Sequence, residues 1–447
     1  MDNHSRRECV DYFKSKKGFD RLFKGFCTKY VGLGHIGGSV KLDNLSIEEK
    51  ESFEGFFQKS FQRQKSAVIS AKKIEQSLAD SRFSGIGLYE LLVAYFGGSL
   101  ETKEEERDRI EREKKAFWIQ VLEKYEDTFS GDWLSEVLKA KGRVCQFLNQ
   151  RHKEYGNQFY NILDSVMAAG NALPIFNDNV ERLALFSARI TGNPHFFDEG
   201  NVGNRILTYM IQYYVQLDAS DYKTKGAKFN IVNRETVQHS AEQKNELFYM
   251  AGILKEDILN YTNAYGIKLR KENGEFHLGI EGFYQEHQPI QISLLTLSRI
   301  SRVWSAVKKV YIVENSGVFS ELADRVSKDV ALVCTNGQLH LASLILLDLF
   351  YNANYKLYYS GDFDPEGLQI AQKLKDRYGH KLHLWRYSED SYRLSMSAVE
   401  LTDHRIKKLE SLKEPQLRII ASLISETKRA GYQERLVETY ISDMEMK

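Results

Sequence analysis

The chain has 447 residues, enough for two to four domains at roughly 100–200 residues each. Hydrophobic residues make up 42% and charged residues 28%, the balance of a soluble globular protein, while 25 Tyr and 25 Phe against five Pro exclude a disordered or proline-rich chain. Sixty-two Lys and Arg against 61 Asp and Glu leave a net charge of +1, which excludes attachment to DNA by bulk charge but leaves room for a local basic groove. Cys9, Cys27, Cys145 and Cys334 form no Cys-x-x-Cys pair, so neither a zinc knuckle nor a disulfide framework is expected. The opening residues lead into no apolar run, and the apolar stretch Leu341–Phe350 is too short to span a bilayer and contains Asp348; an intracellular, cytoplasmic protein without a membrane segment is expected.

Residues 1–130 read as a helical domain. Phe13, Phe19, Leu22, Phe23 and Phe26 have helical spacing. The segment up to Tyr30 carries eight Lys and Arg against four Asp and Glu, which reads as a solvated helix face or a nucleic-acid face. Gly32, Gly34 and Gly37 match G-x-G-x-x-G, but the residues after them read as strand or turn, whereas a dinucleotide site needs a helix to open there. Ser46-Ile-Glu-Glu49 is a capping box and predicts a helix through Phe53, Phe56 and Phe57. The mixed charges from Glu101 to Lys115 predict an exposed helix or a surface connector.

Residues 131–300 read as a helical middle region, with a break at Thr191–His195, a further helical stretch over 242–264, and a hairpin about Asn273-Gly274. Helices followed by a hairpin are compatible with a winged-helix module. The pattern changes in residues 301–447. Strand-like Val310–Val313, Val330–Cys334, Tyr355–Tyr359 and Lys381–Tyr387 alternate with helix-like Val318–Val326, Gln338–Phe350 and Pro365–Tyr378, which predicts a parallel sheet with helices on its faces, followed by two more helices. The fold class is therefore a multidomain protein with a helical N-terminal half and a C-terminal α/β domain.

The candidate chemistry lies at the carboxyl ends of these strands, where ligands of open parallel sheets collect. Glu314 ends the first strand; Asp362 and Asp364 follow the third, in Ser360-Gly-Asp-Phe-Asp-Pro-Glu-Gly367. In extended chain, residues two apart face the same way, so both aspartates can share one ligand. Clustered carboxylates repel unless a cation intervenes, and hard oxygen donors suit Mg²⁺ or Mn²⁺. Asp364 also reads as the N-cap of the helix at Pro365, with Glu366 in its first turn, but that leaves Asp362 and Glu314 unexplained. Thr335, Asn336 and Gln338 end the second strand and read as phosphate contacts, as residues that hold Glu314 in place, or as an ordinary turn before a helix start. Arg386 ends the fourth, as a phosphate contact or a surface partner of Glu389 or Asp390. His195, near Asp198, lacks a second metal ligand. The chain has no P-loop.

The run Val313-Glu-Asn-Ser-Gly-Val-Phe319, Cys334-Thr-Asn-Gly-Gln338, Ser360-Gly-Asp-Phe-Asp-Pro-Glu-Gly-Leu368 and Leu384-Trp-Arg-Tyr387 resembles the C-terminal Toprim half of the JetD-like subunit of Wadjet-type plasmid-defence systems. Gly34-His-Ile-Gly-Gly-Ser-Val-Lys-Leu42 and Thr191-Gly-Asn-Pro-His-Phe-Phe-Asp198 extend the resemblance over nearly the whole chain. The resemblance implies a Toprim nuclease that cleaves closed circular double-stranded plasmid DNA with Mg²⁺ or Mn²⁺. It implies an SMC-like ATPase, a kleisin-like chain and accessory subunits as partners, and a homodimer. On that basis Glu314, Asp362 and Asp364 become metal ligands and Glu366, among the catalytic carboxylates, an extra ligand or a water-mediated contact; apart from the resemblance, the strand-end positions of Asn336, Gln338 and Arg386 make them the candidate DNA contacts. The family is similar to the A subunit of topoisomerase VI, which uses a covalent tyrosine; Tyr213-Tyr214 does not match that motif, so no nucleophilic tyrosine is assigned. The rival readings are a topoisomerase-like enzyme with such a tyrosine and a non-catalytic DNA-binding adaptor.

Overall fold

The computed structural model describes residues 3–98, 100–221, 241–337 and 339–445. They divide into two compact units, Met1–Lys124 and Tyr125–Lys447. Among the described residues no helix is long and apolar enough to cross a membrane.

The first unit is helical, with one antiparallel ladder between Ser39–Asp43 and Ser66–Ser70. Phe13, Phe19, Phe23 and Phe56 form its centre, with Phe13 edge-on to the other three at 4.9 to 5.3 Å. The capping box forms: Ser46 Oγ accepts from the Glu49 amide at 3.1 Å and Glu49 Oε2 from the Ser46 amide at 2.8 Å. The glycine motif lies where the helix Asp20–Leu33 ends, at Gly34, and a strand follows it. A phosphate-binding loop needs the opposite, a helix N-terminus with its free amides. The charged run becomes the helix Lys103–Lys124, with exposed Arg109–Glu113 and Lys115–Glu111 pairs one turn apart.

The second unit starts with the helices Phe129–Ala140, Arg143–Tyr155, Gln158–Asn171, Leu183–Thr191, Val202–Asp221 and Ala241–Met250. The helical stretch expected over 242–264 stops early. Gly252, at φ 78°, turns the chain out of the helix, and Tyr261–Tyr265 is a strand in the main sheet. Its one-sided burial and aromatic ends suit a pleated edge better than a helix. The Asn273-Gly274 turn forms, with the Lys271 amide on the Glu275 carbonyl at 2.9 Å. Its second arm shrinks to one bridge, Arg270 to Phe276, before the helix Leu278–Gln285; Lys268–Lys271 pairs instead with Ile300–Trp304.

The main sheet has six strands, numbered here within it: β1 Tyr261–Tyr265, β2 Ile290–Ser293, β3 Lys309–Val313, β4 Ala331–Cys334, β5 Lys356–Ser360 and β6 Leu382–Leu384. Their order is β6-β5-β3-β4-β1-β2. The four strands β3 to β6 are parallel, as their alternation with helices predicts; β1 and β2 add an antiparallel margin from before residue 301. Between them run α1 Ser316–Arg325, α2 Leu341–Asn352 and α3 Pro365–Tyr378, and the chain closes with α4 Pro415–Thr427 and α5 Val437–Glu445. From β3 the chain steps to β4 on one side, and from β5 to β6 on the other. The switch point of the sheet therefore lies between β3 and β5.

A buried ion network ties the middle helices to this sheet. Arg377 on α3 donates to both oxygens of Asp348 on α2, at 3.0 and 2.5 Å, and to Glu246 on Ala241–Met250 at 3.0 Å. Tyr378 adds a bond to Asp348 at 2.9 Å. All three charged side chains are nearly inaccessible. Removing this cation leaves buried Asp348 without its counter-ion in low dielectric, so Arg377→Ala is expected to lower stability by about 3–5 kcal/mol in urea denaturation. Arg325→Ala, which removes an exposed pair with Glu438, should shift the urea midpoint far less.

Candidate functional site

The pairing of β3 with β5 sets the site. Val313 is in register with Ser360, so Glu314 and Gly361 leave the sheet side by side at the switch point. A Cβ on Gly361 would lie 2.7 Å from Glu314 Oε2 and 2.6 Å from the Tyr359 hydroxyl, so a side chain there would push the glutamate carboxylate out of its present position. The Asp362 amide then donates to Glu314 Oε2 at 3.2 Å, and Tyr359 to the same oxygen at 3.4 Å. Phe363 turns into the core against Tyr387 and Tyr392, leaving Asp362 and Asp364 on the other side of the extended segment.

A distant segment completes this edge. Phe363 and Gly431 form an antiparallel bridge through two bonds, at 2.9 and 3.0 Å. This brings Gln433 over the strand ends. Its amide donates to Asp362 Oδ1 at 3.0 Å, and its Oε1 accepts from the amides of Glu314 and Asn315, both at 3.1 Å. Asn315 Nδ2 donates to Glu434 at 2.6 Å.

The carboxylates fall into two electrostatic classes. Burial, reinforced by the Asp362 charge, pushes the Glu314 carboxyl up to about 8. Burial pushes Asp362 up to about 6, against the opposing bond from the Gln433 amide and with the help of the Glu434 and Asp364 charges. The other two carboxylates are matched by cations. Asp364 caps α3, with Oδ1 accepting from the Gly367 amide at 2.8 Å, and its Oδ2 accepts from Arg405 at 2.6 Å. Glu366 accepts from Arg405 at 2.6 Å and Lys408 at 2.8 Å. Burial alone would raise it, but these two cations bring it down to about 2.

The donor set is all hard oxygen, which suits Mg²⁺ or Mn²⁺ in kind. The spacing does not suit one shared ion: among the described residues, no three His, Cys, Asp or Glu side chains stand close enough together to hold a metal. The structure thus brings Glu314 and Asp362 together and turns Asp364 and Glu366 toward Arg405 and Lys408.

Residues 36–269 match the family model described as protein of unknown function N-terminus (DUF3323), and residues 290–444 match the C-terminus model (DUF2399). The first match covers more than half of the chain. The chain belongs to the DUF3323 family. No curated protein matches it.

The other candidate residues of this DUF3323 chain are placed as follows. Asn336 turns the chain after β4 at φ 55°, and its Oδ1 accepts from Asn263 on β1 at 3.1 Å. Among the described residues its buried Nδ2 and the buried Oγ1 of Thr335 have no partner, so the end of β4 offers one donor and one hydroxyl to a polar ligand. Gln338 lies outside the described residues. Arg386 pairs with neither Glu389 nor Asp390. It grips Asp443 on α5, which also accepts from the Trp385 indole at 2.7 Å. His195 bonds Asp198 at 2.8 Å on an exposed loop. Tyr213 and Tyr214 pack around Phe129, and Tyr214 also against Phe176.

Sequence reading missed Gln433, Arg405 and Lys408. Each lies some 40 to 120 residues from its carboxylate partner, and neither periodicity nor spacing links positions so far apart.

For DUF3323 Glu314 a pH effect follows. Its carboxyl lies near 8 when folded against an ordinary 4.5, so between these values the folded protein holds a proton that the unfolded chain has released. Stability therefore falls as pH rises through this window. Glu314→Gln cannot ionise. From about pH 5 to pH 8, the wild-type Tm is expected to drop by about 3 °C relative to this variant, measured by calorimetry in chelator.

Proposed function

We propose that this protein is a divalent-metal-dependent DNA endonuclease and that its C-terminal α/β unit is a Toprim domain. The observation that carries the reading is the placement of Glu314 and Asp362 on adjacent parallel strands at the switch point, bonded to each other through the Asp362 amide and both displaced toward neutrality. Two carboxylates held this way are an acid pair built for a cation. Thr335 Oγ1 and Asn336 Nδ2 beside them, without a partner among the described residues, suit a phosphate or a water. The paired N- and C-terminus models are the pair of JetD-type proteins, which supports a place in a Wadjet-type defence system.

On this reading Asp362 and Asp364 would hold Mg²⁺ or Mn²⁺, Glu314 would complete the site or orient the attacking water, and Glu366 would lie behind them. The bound ion would neutralise the cluster and polarise a phosphoryl oxygen. Gln433 holds the backbone of Glu314 and the side chain of Asp362 in place, and the rings of Tyr359 and Tyr387 exclude water from behind. The substrate is closed circular double-stranded DNA. The partners are an SMC-like ATPase with its kleisin-like and accessory subunits, and the working form is a homodimer in the cytoplasm. The near-neutral net charge favours delivery of DNA by partners over strong autonomous binding.

The test is incubation of the chain, alone and with its ATPase complex, with supercoiled plasmid in Mn²⁺, Mg²⁺ or chelator. Nicked or linear product free of protein is expected only with metal. Asp362→Ala and Asp364→Ala should each reduce the rate at least about a hundredfold with folding retained. Wild-type cleavage by either variant would show the site to be misassigned. DNA ends carrying covalent protein would establish the tyrosine mechanism instead, and DNA binding without cleavage in the full complex would establish an adaptor.

A further inference from the structure

Arg405 and Lys408 make no part of the strand-end motifs, yet they hold half of the acidic cluster. Arg405 Nη2 donates to Asp364 Oδ2 and to Glu366 Oε2, both at 2.6 Å, and its Nε reaches Glu366 Oε2 at 3.2 Å. Lys408 Nζ takes the other Glu366 oxygen at 2.8 Å. With Asp364 Oδ1 given to the Gly367 amide, all four oxygens of these two carboxylates are occupied by donors from the protein. The contrast with the other pair is sharp. Among the described residues no donor reaches Asp362 Oδ2 or Glu314 Oε1, whose sister oxygens take the bonds described above.

The two cations sit on one short segment between buried Leu401 and Leu412, with Leu409 also buried. The segment is tied back by Lys428 to Asp403 at 2.8 Å and by Gln369 to the Lys408 carbonyl at 3.3 Å. The charged ends remain a third or more accessible, so they are able to swing into solvent without unpacking the core. A divalent ion needs the lone pairs that the guanidinium now occupies.

We propose that Arg405 and Lys408 are built-in counter-ions that compete with a divalent cation for Asp364 and Glu366, and thereby set the metal affinity of the site. This rests on the reading that the carboxylates at this edge bind a metal. Displacement of the guanidinium would then accompany metal entry and free the Asp364 and Glu366 oxygens that it now occupies.

The test is Mn²⁺ binding to the full chain, read from the free-ion paramagnetic resonance signal, with folding monitored by circular dichroism. Arg405→Gln is expected to bind Mn²⁺ about tenfold tighter than wild type, and Lys408→Gln about threefold tighter, the effect of removing one nearby, partly screened charge. Arg405→Lys, which keeps the charge, should stay close to wild type, and Lys408→Gln carries the test in the case in which Arg405→Gln fails to fold. Asp362→Asn reports on the underlying reading, since it should weaken Mn²⁺ binding. Weaker binding in Asp362→Asn with unchanged or weaker binding in Arg405→Gln and Lys408→Gln would overturn the competition and leave the metal site standing. Unchanged binding in Asp362→Asn would place the ion elsewhere and overturn both.

Discussion

Two carboxylates placed just past the ends of neighbouring parallel strands repel each other and resist desolvation. Glu314 and Asp362 are held in that position, and the surrounding structure accommodates it. Gly361 gives up its Cβ so that the Glu314 carboxylate fits against the strand. The Asp362 amide and the Tyr359 hydroxyl hold that carboxylate, and the Gln433 side chain spans the Glu314 and Asn315 amides. The bonds available are fewer than two buried carboxylates require, and both acids are displaced upward as a result.

The acidic cluster is uneven. On the β3 side the carboxylates are short of donors; on the α3 side they are saturated by Arg405, Lys408 and the helix amides. The chain that supplies both the Gln433 contacts and the two cations comes from beyond residue 400. It is held down by the Phe363–Gly431 bridge and by the Tyr440 hydroxyl on Ser360 at 2.8 Å. Residues beyond 400 thus form part of this acidic edge, and their position decides which carboxylate oxygens are occupied by protein donors.

Some of this was legible in the residues. Pro365 after Asp364 announces a capped helix start, and α3 begins there because proline fixes φ and lacks the amide that a first turn does not need. The apolar runs ending in Glu314 and Ser360 read as parallel strands because both faces of such a sheet are covered. Tyr261–Tyr265 was not legible: its apolar residues fit helical spacing as well as strand spacing, and only the exposed edge of β4, in need of backbone partners, selects the strand. The second arm of the Asn273-Gly274 hairpin gave way to a helix because Lys268–Lys271 found a longer partner in Ile300–Trp304.

By itself the sequence determined the alternation of strand and helix after residue 300 and which carboxylates end the strands, because side-chain period and turn chemistry are local. It also determined the capped helices of the N-terminal unit, for the same reason. Only the tertiary structure decided that β3 and β5 lie side by side, that Gln433 crosses 119 residues to reach Glu314, and that Arg405 and Lys408 neutralise Asp364 and Glu366. These are contacts between segments remote in the chain, and electrostatic pairing depends on distance in space, which neither composition nor spacing encodes.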